Sequence, residues 1–252
     1  MPKDEDFYPE RREKKRSMFD SSEAQKAVEN VLDDDTMDSL LKLADRGVIE
    51  KMYGVIESGK ESAIMLADTE DGLAAVKIYM KRAGAFREMK QYLQGDQRFR
   101  NIKSDRRSII NEWCKKEFKN LKKASNVVRC PEPIAFQENV LVMEFVGEEF
   151  SPYPKLKDVN IENPGKALEM TLNNMKELWE SEELVHGDLS EYNILVETDA
   201  LVWIDFSQGV HKSHPEAEKL LKRDVENVVN FFRSQGAETD LEKALDIVFS
   251  HS

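Results

Sequence analysis

The segment at residues 186–195 (HGDLSEYNIL) limits what this chain can fold into more than any other stretch. It places Asp188 and Asn193 five positions apart, in a segment too tight for a long helix, directly before an apolar run. A second aspartate, Asp205, follows in the short segment WIDF at 203–206. Two carboxylates and a carboxamide on short loops suit a divalent metal beside nucleotide phosphates, while the first aspartate holds a hydroxyl group. The pattern indicates a kinase-like site.

The chain has 252 residues, which is enough for one large domain or two small lobes with a core. No apolar run approaches the about 20 residues that cross a bilayer, and the first residues lack the apolar part of a secretory signal. We therefore expect a soluble cytoplasmic protein that contacts no membrane. The two cysteines, Cys114 and Cys130, have no partner at metal-ligand spacing and are expected to be structural.

Charge is distributed unevenly along the chain. The formal net charge is −12 at pH 7, which argues against an overall nucleic-acid coat, and no DNA partner is expected. Residues 77–123 nevertheless hold 15 basic and 5 acidic residues, a local charge of +10 that leaves −22 on the remainder. This basic segment is expected to contact an anionic partner.

Periodicity divides the chain into three parts. Residues 1–20 mix charge runs with scattered aromatic residues and are interpreted as a flexible charged arm. Residues 21–146 are expected to form an N-lobe of helices and antiparallel strands, with a basic mobile loop near 83–107. Residues 147–252 are expected to form a small, mainly helical C-lobe. The predicted class is α+β.

Residues 48–56, 62–67 and 73–79 have the composition of short strands. The first turn, in GVIESGKES at 54–62, nearly matches the Walker A pattern. However, Glu61 stands where a Ser or Thr should ligate magnesium, and strand rather than helix follows it. We interpret the turn as a hairpin whose backbone N–H groups lie over a nucleotide, with a plain hairpin turn as the alternative.

Lys77 lies in the middle of an otherwise apolar strand. A buried ammonium needs anionic partners, which phosphate oxygens and a helix carboxylate would supply. Glu117, on a helix predicted over 108–124, is the preferred partner, and Glu112 is the rival. The alternative is an edge-strand lysine whose ammonium reaches water.

The apolar strand at 140–147 ends in a linker that contains glycine, and we interpret it as the boundary between the lobes. An adenine ring would take backbone hydrogen bonds around Glu144 to Val146 and pack against Met143. The alternative is an ordinary central strand. Further along, a predicted hairpin over 194–204 places Asn193 and Asp205 near its two ends, where they can share a metal.

Together these segments follow the order of the protein-kinase signatures, and in detail they resemble the RIO family of atypical protein kinases, in the branch without an N-terminal winged-helix domain. The resemblance extends from about residue 31 to about residue 249. Its most specific pieces are SGKE at 58–61, HGDLSEYN at 186–193, IDFSQ at 204–208 and RDVEN at 223–227.

The resemblance implies a bilobal protein-kinase-like fold that binds ATP with Mg²⁺ or Mn²⁺. Lys77 would hold the α- and β-phosphates and pair with Glu117. Asp188 would accept or orient the nucleophile's proton, while Asn193 and Asp205 would bind the metal. The further nucleotide-binding residues that it implies are Ile56, Ser58, Gly59, Lys60, Met143, Glu144, Val146, Glu191, Asn193 and Ile204.

The chain departs from ordinary protein kinases in lacking a G-x-G-x-x-G loop and an Ala-Pro-Glu motif after Asp205. The resemblance implies a C-lobe without peptide-docking segments. It also implies work in small ribosomal subunit maturation, with protein and RNA of the precursor subunit as partners. ATP hydrolysis and self-phosphorylation then matter beside phosphorylation of other proteins. We expect Ser104 or Ser108 as self-phosphorylated residues, ribosomal RNA or an acidic partner at 77–123, and a phosphoaspartate at Asp205 as a hypothetical intermediate.

Two other functions fit parts of the pattern. A small-molecule kinase of the aminoglycoside or choline type also has His-Gly-Asp-Leu before an asparagine, but usually carries a different triplet where this chain has SEY at 190–192. An assembly module that uses ATP as a switch would keep the nucleotide site without transferring phosphate to a protein.

Overall fold

The structure, a computed structural model, describes residues 18–19, 32–80, 89–90, 92–93, 95–99, 105–198 and 200–250. The chain divides into two compact units. The first takes the described residues within Met1–Phe86, Ser104–Lys115 and Pro133–Phe145, and the second takes those within Arg87–Lys103, Lys116–Glu132 and Val146–Ser252.

The first unit holds helix α1 (Asp34–Asp45) and a five-stranded antiparallel sheet. Its strands are β1 (Lys51–Ser58), β2 (Ser62–Thr69), β3 (Gly72–Tyr79), β4 (Pro133–Gln137) and β5 (Val140–Glu144), in the order β1-β2-β3-β5-β4. The three strands predicted between 48 and 79 all form, and the strand predicted over 140–147 ends at Glu144. The N-terminus of α1 is capped by Asp33, whose carboxylate accepts a hydrogen bond from the backbone N–H of Thr36 at 2.9 Å.

One face of this sheet carries the core of the first unit. Alternate residues of β3, namely Ala74, Val76 and Ile78, are buried in the same apolar cluster as Leu40 and Leu43 of α1. Because side chains alternate across a strand, Lys77 lies on the opposite face. Lys77 therefore lies on the face of β3 that does not pack against the core around helix α1.

The turn at 58–62 is a hairpin, as predicted, and not a Walker A loop. Ser58 pairs with Ala63 across β1 and β2, and the backbone N–H of Gly59 donates to Ser62 O at 2.9 Å. A strand therefore follows the turn, where a Walker A loop would be followed by a helix.

The interpretation of residues 1–20 as a charged arm is wrong at Met18 and Phe19. Both side chains are buried in the core of the first unit, and Met52 N–H donates to Met18 O at 2.7 Å. Their apolar side chains gain more from burial than the surrounding charges gain from hydration. Residues 1–17, and those at 20–31 where a helix is predicted, lie outside the described residues.

The second unit is mainly helical. Helix α2 (Arg106–Ala124) begins two residues earlier than predicted. Its first part belongs to the first unit and its last part to the second. The other helices are α3 (Pro164–Glu180), α4 (Ala217–Ser234) and α5 (Leu241–Phe249). The two-residue strand pairs are β6 (Gly147–Glu148) with β7 (Ser151–Pro152) and β8 (Leu184–Val185) with β11 (Val210–His211), while β9 (Ile194–Glu197) pairs with β10 (Ala200–Trp203).

The predicted boundary near 146 coincides with the start of the last segment of the second unit, at Val146. The segments Arg87–Lys103 and Lys116–Glu132 also belong to the second unit, although the sequence placed them in the N-lobe. The interpretation of 83–107 as a mobile loop is wrong at Asp96, whose side chain is fully buried against Arg98. Arg98 in turn donates to the side-chain oxygen of Asn120 at 2.8 Å, and this bond attaches that part of the segment to helix α2. Residues 81–88, 91, 94 and 100–104 lie outside the described residues.

In the part of the chain that the structure describes, no helix has the length and apolarity needed to span a bilayer. Cys114 and Cys130 are both buried, in keeping with a structural role. The sulfur of Cys130 lies 3.8 Å from Leu121 O.

Candidate active site

The loop between β8 and β9 is held from within by His186, which is buried. The imidazole Nε2 lies 3.0 Å from Ile204 O, and Nδ1 accepts a hydrogen bond from the backbone N–H of Asp188 at 3.3 Å. Because a carbonyl oxygen can only accept, these partners assign the proton to Nε2. The ring also packs on Phe206, with 4.5 Å between the ring centroids. His186 therefore ties the segment containing Asp188 to the segment containing Asp205.

Asp224 of α4 holds the backbone of the same loop by hydrogen bonds. Its carboxylate accepts hydrogen bonds from the backbone N–H of Gly187 at 2.7 Å and of Leu189 at 3.1 Å. Burial raises the pKa of Asp224 to about 8, while the two N–H groups and Arg223 act in the opposite direction. Both oxygens thus fix the backbone on the two sides of Asp188.

Asn193 completes the loop. Its Nδ2 donates to Asp188 O at 2.8 Å and lies 3.3 Å from Asp188 Oδ2. Since the amide nitrogen is used to close the loop, the amide oxygen is the atom that Asn193 offers to a cation. Arg223 donates to Gly187 O, and its guanidinium lies 4.0 Å from Asp188 Oδ1.

Asp205 adopts a left-handed backbone conformation, with φ 62° and ψ 65°. A non-glycine residue seldom occupies this region, and aspartate is among those that tolerate it. Its carboxylate accepts from Ser207 N–H at 3.4 Å. Burial and the charge of Asp205 raise the pKa of Asp188, although Arg223 and Asn193 oppose the shift. The two carboxylates therefore lie close enough to influence each other.

The donor set fits a magnesium-type cation bound together with a phosphate. Asp205 and Asn193 offer carboxylate and amide oxygens, which hard divalent cations prefer. Among the described residues, no group of three or more His, Cys, Asp or Glu side chains forms a metal cage. A site with one or two protein ligands suits Mg²⁺, which keeps waters and takes phosphate oxygens as its other ligands.

The predicted nucleotide-binding residues of the first unit are spread over β1, β3 and β5. Lys77 pairs with Leu141 and Ala75 pairs with Met143 across β3 and β5, which places Lys77 and Met143 on the same sheet face, opposite the core. Lys77 is 3% exposed, so it is not the edge lysine of the alternative. Ile56 lies at an irregularity of β1 and is half-buried. Glu144 is the last residue of β5. The residues of the hairpin turn, Ser58, Gly59 and Lys60, are exposed.

The remaining predicted residues belong to the second unit. Val146 lies in an apolar cluster against which Ile204 packs, so the structure brings together two residues predicted to bind the nucleotide. The backbone of Glu191 accepts from Lys157 N–H at 3.2 Å. Glu117 is fully buried, whereas Glu112, in the first unit, is ion-paired with Lys115 at 3.1 Å. The pairing of Lys77 with Glu117 stays a prediction.

Several buried polar residues near the turn after Asp205 were not predicted from the sequence. Lys116 and Asn120 of α2 and Asp96 are 0–2% exposed, and all lie in the second unit. The only sequence signal is the spacing of Lys116 and Asn120, which puts both on one face of α2. Their partners lie more than eighty residues further along the chain.

The family whose pattern matches the chain is described as the RIO domain, and the match covers residues 62–244. The RIO-type serine/threonine-protein kinase Rio1 of Haloferax volcanii is 44% identical over 88% of this chain and 77% of its own length. Its counterpart from Methanocaldococcus jannaschii is 43% identical over 91% of this chain and 78% of its own. The human serine/threonine-protein kinase RIO1 is 38% identical over 81% of this chain but only 37% of its own length.

Solved structures support the same fold. The Rio2 kinase from Chaetomium thermophilum matches with a TM-score of 0.64 and 26% identity, over 86% of this chain and 69% of that protein. The Rio2 kinase–ADP/Mg²⁺–phosphoaspartate complex from the same organism matches with a TM-score of 0.62 and 23% identity, over 86% of this chain and 67% of that one. The predicted kinase-like α+β fold is confirmed.

Proposed function

The chain belongs to the RIO family of serine/threonine protein kinases, and on that premise we propose that it uses ATP and Mg²⁺ or Mn²⁺ to phosphorylate serine, including a serine of its own. The observation that carries this proposal is the loop that joins Asp188 to Asn193 by a 2.8 Å hydrogen bond, with Asp205 beside it. Family membership also decides against the small-molecule kinase alternative.

Each residue of the site has a distinct task in the transfer. The serine Oγ attacks the γ-phosphorus, its proton passes to the Asp188 carboxylate, and the bond to the β,γ-bridging oxygen breaks so that ADP leaves with the electron pair. The raised pKa of Asp188 makes this carboxylate a better proton acceptor than an ordinary aspartate. A metal ion held by Asn193 and Asp205 would neutralise charge on the phosphates.

Lys77 would hold the α- and β-phosphates from the first unit. Lys77 is 3% exposed and lies in the middle of β3, where a buried ammonium needs negative charge nearby. The exposed backbone of the 58–60 turn would cover the phosphates, and the apolar residues Met143, Val146 and Ile204 would contact the adenine. These assignments rest on the family resemblance and on the burial of each side chain.

ATP hydrolysis through a phosphoaspartate is a second candidate, favoured by the related Rio2 kinase, whose structure was solved as an ADP/Mg²⁺–phosphoaspartate complex. In this reaction an Asp205 oxygen attacks the γ-phosphorus and ADP leaves. Water then attacks the phosphorus of the acyl phosphate, which releases inorganic phosphate and restores the carboxylate. Both reactions need the same site, but only the second leaves phosphate on an aspartate.

We also propose that the precursor of the small ribosomal subunit is a partner. The support is the local charge of +10 at residues 77–123, together with the exposure of Arg106, Arg107, Lys119 and Lys122. Binding through such residues weakens steeply with salt, because counterions are released from RNA phosphates. Charge reversal at Lys119 and Lys122 that leaves binding and its salt dependence unchanged would remove this support.

The experiment that tests the proposed activity follows ³²P from γ-labelled ATP onto the purified chain with Mg²⁺. We expect incorporation in the wild type and its loss in both Asp188→Ala and Asp205→Ala. Asp158→Ala, which removes an exposed carboxylate of the same unit, is the control and should incorporate normally. Full labelling of the two site variants would refute the assignment.

The linkage of the label separates the two reactions. Hydroxylamine cleaves an acyl phosphate but leaves phosphoserine intact, so a stable label indicates serine transfer. Mass spectrometry then locates the serine. Ser108 lies in the first turn of α2, with its Oγ donating to Asp105 at 2.7 Å, and Ser104 lies outside the described residues.

A further inference from the structure

Three backbone carbonyls just after Asp205 point at one face of helix α2. Lys116 Nζ donates to Ser207 O at 2.8 Å, and Asn120 Nδ2 donates to Phe206 O at 2.9 Å and to Gly209 O at 2.8 Å. Both donors are fully buried. The short helical turn Phe206–Gln208 is therefore held by side-chain donors over its whole length.

Asn120 is itself held by a buried ion pair. Arg98 donates to the Asn120 side-chain oxygen at 2.8 Å, which fixes the amide with its nitrogen toward the carbonyls. The same guanidinium forms a two-pronged contact with Asp96, with bonds of 2.6 and 3.0 Å. The Asp96 carboxylate is fully buried, and the Arg98 side chain is 19% exposed. Charge-assisted pairs of this geometry are the more rigid and the stronger of protein hydrogen bonds.

Two further contacts fit the same segment. Tyr92 donates its hydroxyl to the side-chain oxygen of Gln208 at 2.9 Å. A Cβ on Gly209 would lie 2.8 Å from Asn120 Nδ2, so only glycine lets the amide approach the backbone this closely. The turn is therefore contacted in two ways. Tyr92 binds the Gln208 side chain, and side chains of helix α2 bind the backbone carbonyls.

The turn needs such support because of the residue that precedes it. Asp205 has φ 62°, a conformation that costs an aspartate free energy relative to the ordinary regions and persists only when its surroundings impose it. The direction of the Asp205 carboxylate depends on that conformation. A backbone free to relax at Phe206–Gly209 would turn the carboxylate away from the metal position proposed for Asp205 and Asn193.

We propose that Lys116 and Asn120, braced by Asp96–Arg98, are positioning residues that hold the turn after Asp205 so that its carboxylate binds the metal. We name this group of four residues the turn clamp. The inference rests on the proposed function, because it assumes that Asp205 is a metal ligand. The turn clamp touches neither nucleotide nor metal and acts only through the backbone.

The test measures metal binding directly, so that it does not depend on turnover. Mn²⁺ binding to the full chain is titrated by electron paramagnetic resonance in the presence of ADP, for the wild type and for Asn120→Leu. Loss of an outer contact to a metal ligand typically weakens binding about 10- to 100-fold, and we expect at least about tenfold here. ADP affinity without metal should stay within about twofold, since the turn clamp does not touch the nucleotide.

A matched control distinguishes positioning from general loss of stability. Asn139 is also buried, and its Nδ2 donates to Tyr79 O and Thr36 Oγ1, each at 2.9 Å, within the first unit. Asn139→Leu removes a comparable pair of hydrogen bonds. It should lower the melting temperature as Asn120→Leu does, but leave the Mn²⁺ dissociation constant at the wild-type value.

If Asn120→Leu does not fold, Arg98→Lys is the variant used in the Mn²⁺-binding test. It keeps a positive charge beside Asp96 but cannot hold both Asp96 and Asn120 in the geometry of a guanidinium. We expect Mn²⁺ binding weakened about threefold or more in this variant. Wild-type Mn²⁺ affinity in a folded Asn120→Leu or Arg98→Lys protein overturns the proposal. A wild type that itself binds no Mn²⁺ with ADP instead refutes the metal role of Asp205, and the turn clamp falls with it.

Discussion

The carboxylate of Asp224 accepts a 2.7 Å hydrogen bond from the backbone N–H of Gly187, 37 residues earlier in the chain. The second oxygen of the same carboxylate accepts from Leu189, so that one buried side chain holds the backbone on both sides of Asp188. The position of the proposed proton acceptor is thus set by a residue of helix α4 that does not face the substrate.

Replacing Asp224 with asparagine should therefore reduce both stability and activity. The amide keeps one acceptor, but its NH₂ group meets a backbone N–H, which leaves a buried donor without an acceptor and costs about 1–3 kcal/mol in the free energy of unfolding. We expect a loss of about tenfold or more in kcat from misplacement of Asp188. Denaturant unfolding and phosphoryl-transfer kinetics check both effects. Glu226→Gln, at an exposed position of α4, is the control, and equal kcat values in the two variants would contradict the prediction.

Gly187 should not tolerate a methyl group. Its φ is +78°, and an added Cβ would lie 3.0 Å from Gln208 O, a backbone atom of the turn after Asp205. Gly47 has a similar φ of +72° with nothing within 4 Å of the Cβ position. Both alanine variants should lose about 1–2 kcal/mol of stability from the left-handed backbone. Only Gly187→Ala should also lower kcat, because it alone pushes the two loops apart. Equal kcat values for the two variants would show that the close approach has no role in catalysis.

Lys77→Met should weaken nucleotide binding. The substitution removes a charged donor of phosphates, which is worth about 1.5–3 kcal/mol, or about 10- to 100-fold in the ATP dissociation constant. Calorimetric titration with ATP measures the affinity. Lys51→Met, on the edge strand β1 of the same sheet, should bind ATP normally. Unaltered affinity in Lys77→Met would remove Lys77 from the phosphate site.

The stability of the protein should respond to pH through Lys116. Burial, and then the charge of Arg98, lowers the pKa of this lysine to about 7, against the opposing charges of Asp96, Glu117 and Asp205. Between about pH 8.5 and 10 the unfolded chain, with its ordinary lysine pKa, binds a proton that the folded chain lacks, so this group makes stability rise with pH by up to about 1.4 kcal/mol per unit.

The measurement compares unfolding free energies of wild type and Lys116→Met across that pH range. Their difference should grow with pH in favour of the wild type. Lys122→Met, at an exposed position on the same helix, should differ from the wild type by a constant amount. A pH-independent difference for Lys116→Met would mean that the folded chain keeps this lysine charged.

Most of the correct predictions from sequence concern residues that lie close together in the chain. Asp188 and Asn193 lie in one loop, so their spacing of five residues is enough to bring them into contact. Likewise, Glu61 in place of Ser or Thr was sufficient to reject a Walker A helix. The order of the motifs along the chain was sufficient to indicate the RIO family.

Only the tertiary structure decided which distant groups hold the site. Lys116 reaches a carbonyl 91 residues away, and Asn120 reaches one 86 residues away. Helical spacing indicates that such side chains face inward, but backbone donors and acceptors are the same in every residue, so no pattern tells which of them a buried side chain will meet. The sequence alone therefore determined the chemistry of the loops and the family of the fold. The packing of helices α2 and α4 determined the contacts that fix the loops in place.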